Sequence, residues 1–121
     1  MGLSSAEIGR QGEAAAAQYL ARHGCTLLAT NWRCAGGEID IVAERGGLLM
    51  FVEVRTRRAD SVDVALESIT PRKRQRMLTA AYAYLAEQNL EDADWRIDVV
   101  VIAVPRSGPL IVQHLENGLD W

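Results

Sequence analysis

The sequence predicts an α/β fold: a mixed β-sheet with a central antiparallel hairpin, flanked by two main helices. Two apolar runs, 37–42 and 49–55, are joined by Gly46-Gly47, which is typical of a hairpin with a two-residue turn. A helical pattern separates the third strand from the next β-branched segment, so the fourth strand should pair parallel to its neighbour. The 121 residues predict a single domain, 1–121, with room for one core.

Both helices are predicted from the residues at their ends. Ser4 and Glu7 have the spacing of a capping box, and Gly24 is typical of the position after a helix, so the first helix should run to about residue 23. Thr70 and Pro71 fit an N-cap and a first helical residue, and the second helix should run to about residue 87. Alternatives remain for their placement: one helix on each sheet face, or both on one.

The remaining strands are predicted from apolar and β-branched runs. Residues 25–32 alternate loosely and predict a first strand, followed by a loop at 31–36. Residues 95–104 are nearly all apolar, as expected for a central strand, and 110–115 predict a shorter last strand. Residues 58–68 show no regular pattern, and we expect a mobile loop there.

Composition and charge narrow the functional classes. No apolar run approaches the ~20 residues of a membrane span, and the first ten residues lack the apolar core of a signal peptide. We therefore expect a cytoplasmic protein without a membrane partner, in which Cys25 and Cys34 are free thiols. The net charge is −3, yet residues 55–76 carry seven Arg or Lys against three Asp or Glu. That local excess predicts a polyanionic partner, with a solvated helix end as the alternative.

The predicted hairpin places charged residues among core residues. With Gly46-Gly47 as the turn, Asp40 faces Glu53 and Glu38 faces Arg55, all on one face of the sheet. Directly opposed residues have Cβ atoms about 4.5–5.5 Å apart, where like charges are destabilising. Two such carboxylates ionise together only when a cation lies between them, and Mg²⁺ or Mn²⁺ prefer these oxygen ligands. The alternative is a solvated face with a Glu38–Arg55 ion pair.

Other polar residues are given mainly structural interpretations. Glu13 follows two glycines in the first helix, which predicts a close approach of the sheet or of a ligand to that helix. Asp98 lies beside Arg96 in the central strand, and we expect a structural ion pair or hydrogen bond. The histidines, His23 and His114, are interpreted as surface or capping residues.

Six blocks of sequence, taken together, resemble the YraN-type family of small bacterial proteins. The match covers residues ~5 to ~102, and the combination is specific although each block alone is weak. The chain also resembles a wider group, the restriction-endonuclease-like superfamily, which includes archaeal Holliday-junction resolvases. The blocks are Gly9-Arg10-Gln11-Gly12-Glu13, Asn31-Trp32-Arg33, Gly36-Gly37-Glu38-Ile39-Asp40, Phe51-Val52-Glu53-Val54-Arg55-Thr56-Arg57, Lys73-Arg74 and Arg96-Ile97-Asp98-Val99-Val100.

The resemblance implies a restriction-endonuclease-like fold and metal-dependent hydrolysis of phosphodiester bonds, with DNA favoured and branched DNA included. Asp40 and Glu53 match the acidic residues of the superfamily motif and would hold Mg²⁺ or Mn²⁺ with the carbonyl of Val54. Glu13 matches the glutamate that the first helix often supplies. Arg55 stands where the superfamily has a lysine.

That arginine is a departure with chemical consequences. A desolvated lysine can lose its proton, whereas an arginine, with a pKa above about 12, does not. Arg55 would instead orient water or stabilise charge on the phosphate. Lys73 is the chain's only lysine and a candidate for the missing role, with a phosphate contact as the alternative.

The basic segment completes the functional hypothesis. We expect nucleic-acid phosphates to contact Arg57, Arg72, Lys73, Arg74 and Arg76. A second hypothesis is a nucleic-acid-binding module with little or no catalysis, which the arginine at position 55 favours. A third is a protein-interaction domain whose charge cluster is structural. A homodimer would suit cleavage of two strands.

Overall fold

A computed structural model gives the structure of residues 3–60 and 69–117. These two ranges contain two α-helices and five β-strands, in the order helix, three strands, helix, two strands. Within them no helix is long and apolar enough to cross a membrane. The elements are α1 (Ser5–Arg22), β1 (Thr26–Cys34), β2 (Gly37–Arg45), β3 (Leu48–Arg58), α2 (Pro71–Glu87), β4 (Asp94–Val104) and β5 (Ile111–Leu115).

The five strands form one mixed sheet in the order β1-β2-β3-β4-β5. Strands β3 and β4 are parallel and every other neighbouring pair is antiparallel, which confirms the predicted crossover and the α/β class. Val42 lies opposite Phe51 and Arg45 opposite Leu48, so the predicted hairpin register is confirmed. Gly46 and Gly47 both have positive φ, 60° and 84°, which suits a tight turn between twisted strands.

The two helices cover opposite faces of the sheet. Helix α1 packs Ala16 and Leu20 in a cluster with Ile41, Met50 and Val52. Helix α2 contributes to the other cluster, which includes Ile39, Val42 and Phe51 on the strands. Along β3 the alternation is regular, with Leu49 and Phe51 in the α2 cluster and Met50 and Val52 in the α1 cluster. On β2 it is interrupted at Asp40, since Ile41 lies in the α1 cluster and Ile39 in the α2 cluster. The members from α2 are Met77, Ala80, Ala81, Tyr84 and Leu85.

The helix ends follow the predicted caps. The Ser4 hydroxyl accepts a hydrogen bond from the backbone N–H of Glu7 at 3.2 Å, and Gly24 follows α1 with a φ of 84°. At the start of α2, Thr70 accepts from the N–H of Lys73 at 3.2 Å, with Pro71 in the first turn. Each cap satisfies a backbone donor that has no partner within the helix.

Strand β1 extends further than predicted, and the loop expected at 31–36 is wrong for residues 31–34. Pairing with β2 continues from Trp32 opposite Ile39 to Cys34 opposite Gly37. Asn31 has a left-handed backbone, with a φ of 51°, which is typical of a local turn although tertiary pairing keeps it in the strand. Nearer the start, an extra residue at Leu28 makes a β-bulge. Most of the predicted mobile loop, residues 61–68, lies outside the described residues.

Helix α1 approaches β3 closely at Gly12. A Cβ at this position would overlap the side chain of Thr56, whereas a Cβ at Gly9 would meet no atom within 4 Å. The close approach of the sheet that the sequence predicted is therefore confirmed at Gly12. At Gly9 the helix faces an open cleft instead.

Opposite effects are expected from the same substitution at these two glycines. Gly12→Ala should destabilise the fold by about 1–3 kcal/mol, because the added Cβ overlaps Thr56. Thr56 is β-branched and lies on a central strand, so its side chain has little freedom to move away. Gly9→Ala has room and should stabilise α1 by up to about 1 kcal/mol. Urea denaturation measures both values, and a similar change of the same sign in both variants would contradict this packing.

Candidate active site

The site begins where β2 and β3 stop pairing with each other. Their last paired residues are Ile41 and Val52. Beyond this point β2 continues along β1 as far as Gly37, and β3 continues along β4 as far as Arg58. The next residue on each strand, Asp40 on β2 and Glu53 on β3, therefore lies at the mouth of a gap inside the sheet.

Asp40 and Glu53 meet in this gap, as the register predicted. Their side chains are hydrogen-bonded to each other, and the Asp40 Oδ2 atom also accepts from the N–H of Val54 at 2.8 Å. The Glu53 side chain is only 14% exposed. A carboxylate has thus taken the place of a strand partner for the Val54 backbone.

Arg55 lies against this pair from the β3 side. Its Nη1 atom is 3.3 Å from the Oε1 atom of Glu53, and its side chain is 12% exposed. Residues two apart on a strand share a face, so Arg55 is held beside Glu53 by strand geometry. The arginine therefore offsets part of the negative charge and occupies part of the coordination space of one carboxylate.

Burial makes this acidic pair hold a proton. Loss of water raises the pKa of Asp40, and the nearby charges of Glu13 and Glu38 raise it further. Loss of water, together with the charge of Asp40, raises the pKa of Glu53 to about 8, although Arg55 and Lys73 act in the opposite direction. At neutral pH the two carboxyl groups therefore share one proton when no cation is present.

Glu13 brings a third carboxylate from α1. It is half-buried, and its charge acts on Asp40. Glu13, Val54 and Arg55 also line an open cleft of about 670 Å³ between the first turns of α1 and the end of β3. Asp40 and Glu53 are not among the residues lining this cleft, although Val54 and Arg55, which follow Glu53 on β3, are.

The start of α2 brings positive charge to the other side of the pair. Lys73 is close enough for its charge to lower the pKa of Glu53. Gly37 allows this approach, because the backbone carbonyl of Arg76 occupies the space that a Cβ at position 37 would need. Of the other predicted phosphate contacts on α2, Arg72 is exposed and Arg74 half-buried.

One predicted contact is wrong. The sequence predicted that Glu38 would pair with Arg55, but Glu38 forms an ion pair with Arg33 on β1, with Nε and Oε2 3.0 Å apart. The ion pair of Arg55 is with Glu53. The reason is the gap: beyond Asp40 the chain of β2 follows β1, so Glu38 lies opposite Arg33.

A second acidic centre lies elsewhere on the sheet. The Asp98 side chain is fully buried and binds Arg96, with Nε and Oδ1 2.8 Å apart, which confirms the predicted structural pair. It also contacts the Nε2 atom of His114 at 2.7 Å and the N–H of Asn117 at 2.9 Å. Burial alone would raise the pKa of Asp98, but these hydrogen bonds hold it below its ordinary value. The carboxylate is satisfied by protein donors.

The two histidines differ in their surroundings. His23 caps α1 and its Nδ1 atom lies 2.8 Å from the carbonyl of Tyr19, as a capping interpretation predicts. The expectation of a surface or capping role for His114 is wrong, since this residue is half-buried against Asp98. No local pattern marks that contact, because it joins β4 to β5.

The described residues hold no cluster of three or more His, Cys, Asp or Glu side chains suited to a metal ion. A metal ion in the gap would therefore be coordinated by Asp40 and Glu53, with a backbone oxygen and water molecules as its other ligands. Cys25 and Cys34, as predicted, are free thiols.

Comparison with known proteins fixes the family. Residues 12–102 match the model of the uncharacterised protein family UPF0102. This chain belongs to that family. It is 50% identical over 115 residues to a UPF0102 protein of Roseiflexus castenholzii, covering 93% of each chain. It is 43% identical over 120 residues to a UPF0102 protein of Mycolicibacterium smegmatis, covering 95% of this chain and 97% of the relative. The YraN-type resemblance is thereby confirmed.

The shared proton predicts how stability depends on pH. The folded pKa of Glu53, about 8, exceeds its ordinary value of 4.5, so the folded state binds this proton more tightly. The resulting stability is present below pH 4.5 and is lost as pH rises through 8. In EDTA, the free energy of unfolding measured with urea should therefore fall between about pH 5 and 9.

Glu53→Gln is the control, since it keeps the shape of the side chain and removes its titration. Between about pH 5 and 9, the free energy of unfolding should fall much less in this variant than in the wild type. Asp98 does not interfere, because its lowered pKa places its contribution below pH 3.8. A wild-type stability that rises or stays level across the window would show that the pair does not hold a proton.

Proposed function

We propose that this protein is a metal-dependent nuclease that hydrolyses phosphodiester bonds in nucleic acid, with DNA as the favoured substrate and branched DNA included. The observation that carries the proposal is the pair of buried carboxyl groups, Asp40 and Glu53, in the gap between β2 and β3. When both are ionised, two acids this close repel one another and destabilise the folded state. A bound divalent cation would replace the shared proton and remove the repulsion.

The donor atoms fit Mg²⁺ or Mn²⁺. Asp40 and Glu53 would hold the ion with the carbonyl oxygen of Val54, because these hard cations favour carboxylate, carbonyl and water oxygens. When bound, such an ion lowers the pKa of a coordinated water and neutralises charge on the phosphate. The full hydrogen bonding of Asp98, by contrast, leaves that acid no need of a cation.

The neighbouring side chains supply the remaining functions. Arg55 is held beside Glu53 and keeps its charge, so it would stabilise negative charge that develops on the phosphate. Glu13 faces the cleft, where its carboxylate would orient an attacking water by accepting a hydrogen bond. Lys73 approaches from α2 and would contribute a further positive charge close to the reacting phosphate.

The basic start of α2 would bind phosphates of the nucleic acid next to the reacting phosphate. A helix N-terminus presents backbone N–H groups and a positive dipole end, both of which favour anions. Here the first turn lacks acidic residues, and four cationic side chains surround it. Arg57, at the end of β3, is an exposed contact on the cleft side. The four on α2 are Arg72, Lys73, Arg74 and Arg76.

The proposed fold assignment is restriction-endonuclease-like. It is supported by the mixed five-stranded sheet, by its central hairpin and by the positions of Asp40 and Glu53 at the end of the paired region. The charge of Glu13 on the first helix acts on Asp40, which is a further support. A cytoplasmic location and a homodimer acting on two strands belong to the same proposal.

A second candidate function is nucleic-acid binding with little or no hydrolysis. The observation that favours it is the ion pair between Arg55 and Glu53. An arginine cannot give up a proton as a lysine can, and it already occupies one carboxylate. The cationic side chains of α2 would serve binding equally well without a reaction.

Metal binding is tested by thermal unfolding. At about pH 8.5, Mn²⁺ should raise the melting temperature of the wild type, because a ligand specific to the folded state adds about 2.7 kcal/mol at 100 times its Kd. Asp40→Asn keeps an oxygen acceptor for the Val54 N–H but removes one charge. This variant should melt higher than the wild type in EDTA and should lose most of the Mn²⁺ effect. Equal Mn²⁺ shifts in the two proteins would place the ion elsewhere.

Hydrolysis is tested by separating chemistry from binding. Glu53→Ala should abolish metal-dependent cleavage of labelled DNA while leaving DNA binding in EDTA intact. The combined change of Arg72, Arg74 and Arg76 to Gln should weaken binding and flatten its dependence on log salt by about 0.7–0.9 for each phosphate that the variant no longer binds.

Arg55→Lys decides between the two candidate functions. If the wild type cleaves, this variant should keep or raise activity, because the position then carries the superfamily's lysine. If the wild type and Arg55→Lys both leave DNA and RNA intact with Mg²⁺ and Mn²⁺, the nuclease is excluded and the binding module stands.

A further inference from the structure

A second open cleft, of about 550 Å³, lies next to the first one. Its walls include Arg58 at the end of β3, and Val104, Pro105 and Arg106 where β4 ends. Leu3, ahead of α1, also lines it. None of the functions proposed above uses this cleft.

The two clefts are neighbours that share one partition. Leu3 and Arg58 line both of them, and the Nη2 atom of Arg58 donates to the carbonyl oxygen of Leu3 at 2.8 Å. The floor is continuous sheet: Arg58 lies opposite Val104, and the N–H of Ala59 donates to the Val104 carbonyl at 3.2 Å. A chain leaving the first cleft would therefore pass over Arg58 into the second.

The second cleft combines positive charge with apolar surface. Among the described residues that line it, Arg58 and Arg106 supply two guanidinium groups and Asp60 one carboxylate. Leu3, with 44% of its surface exposed, and Pro105 supply apolar walls. A local excess of positive charge in a chain of net charge −3 indicates an anionic ligand.

We infer that this second cleft binds a single-stranded segment of nucleic acid that continues from the candidate active site. The inference rests on the proposed function and names the strand state of its substrate. Arg58 and Arg106 contact successive parts of the phosphate backbone. Leu3 and Pro105 contact the sugars and the faces of unpaired bases.

The apolar walls of the second cleft favour a single strand over a duplex as its ligand. In a duplex the faces of the bases are stacked on one another, so its accessible backbone offers mainly phosphate and sugar to a protein. An unpaired segment exposes base faces as well, and proteins that bind single strands combine a positively charged groove with aromatic side chains on which bases stack. In this cleft Leu3 and Pro105 supply the apolar contact in place of aromatic rings. Leu3 is a large exposed apolar side chain that such a base would cover.

The test compares two arginine-to-glutamine substitutions, each of which removes one positive charge. Arg106→Gln changes the second cleft, and Arg22→Gln changes an exposed residue in the last turn of α1 that lines neither cleft. Fluorescence anisotropy with a short labelled oligodeoxythymidine in EDTA measures binding without cleavage. Arg106→Gln should weaken binding and reduce the slope of log affinity against log salt by about 0.7, the value for one bound phosphate on a single strand. Arg22→Gln should leave that slope unchanged.

Leu3→Ser tests the apolar wall. The Arg58 hydrogen bond uses the backbone carbonyl of Leu3 and is kept, so affinity for the single strand should fall while affinity for a duplex of equal length stays the same. The inference is overturned if Arg106→Gln and Arg22→Gln have the same affinity and the same salt dependence. It is also overturned if Leu3→Ser reduces the affinity for single strand and duplex equally. Metal-dependent cleavage by the wild type would still support the proposed function in that case, and absence of both binding and cleavage would overturn the two together.

Discussion

The candidate site depends on the separation of β2 from β3 beyond Ile41 and Val52. Each strand keeps its outer partner, so the sheet opens at one point without losing its order on either side. An opened ladder leaves backbone donors without strand partners, and an unmet buried donor costs about 1–3 kcal/mol. The Asp40 carboxylate satisfies the Val54 N–H, so the same side chain that creates the acidic pair also stabilises the opening.

The two acidic centres of the sheet show what distinguishes a structural carboxylate from one suited to chemistry. Asp98 is more deeply buried, yet Arg96, His114 and a backbone N–H surround it with donors, and its pKa falls. Asp40 and Glu53 face fewer donors, and burial raises the pKa of each. Burial raises the pKa of all three acids, and the number of donors that face each carboxylate decides whether that rise is offset.

Sequence reasoning succeeded where the determining forces are local. The Gly46-Gly47 turn fixes the hairpin register, and Ser4 and Thr70 fix the starts of the helices, because each acts within a few residues. It failed where a contact depends on how strands are arranged. Glu38 pairs with Arg33 only because β2 leaves β3 and stays with β1. The contact of His114 with Asp98 likewise requires the pairing of β4 with β5.

Strand β1 forms one edge of the sheet, and an exposed edge with apolar side chains is a template for aggregation. Leu27 and Leu28 are 36% and 46% exposed there. The bulge at Leu28 and the left-handed backbone of Asn31 interrupt the regular spacing of outward N–H and C=O groups that an added strand would need. These two irregularities therefore disfavour the addition of a strand from a second copy at this edge.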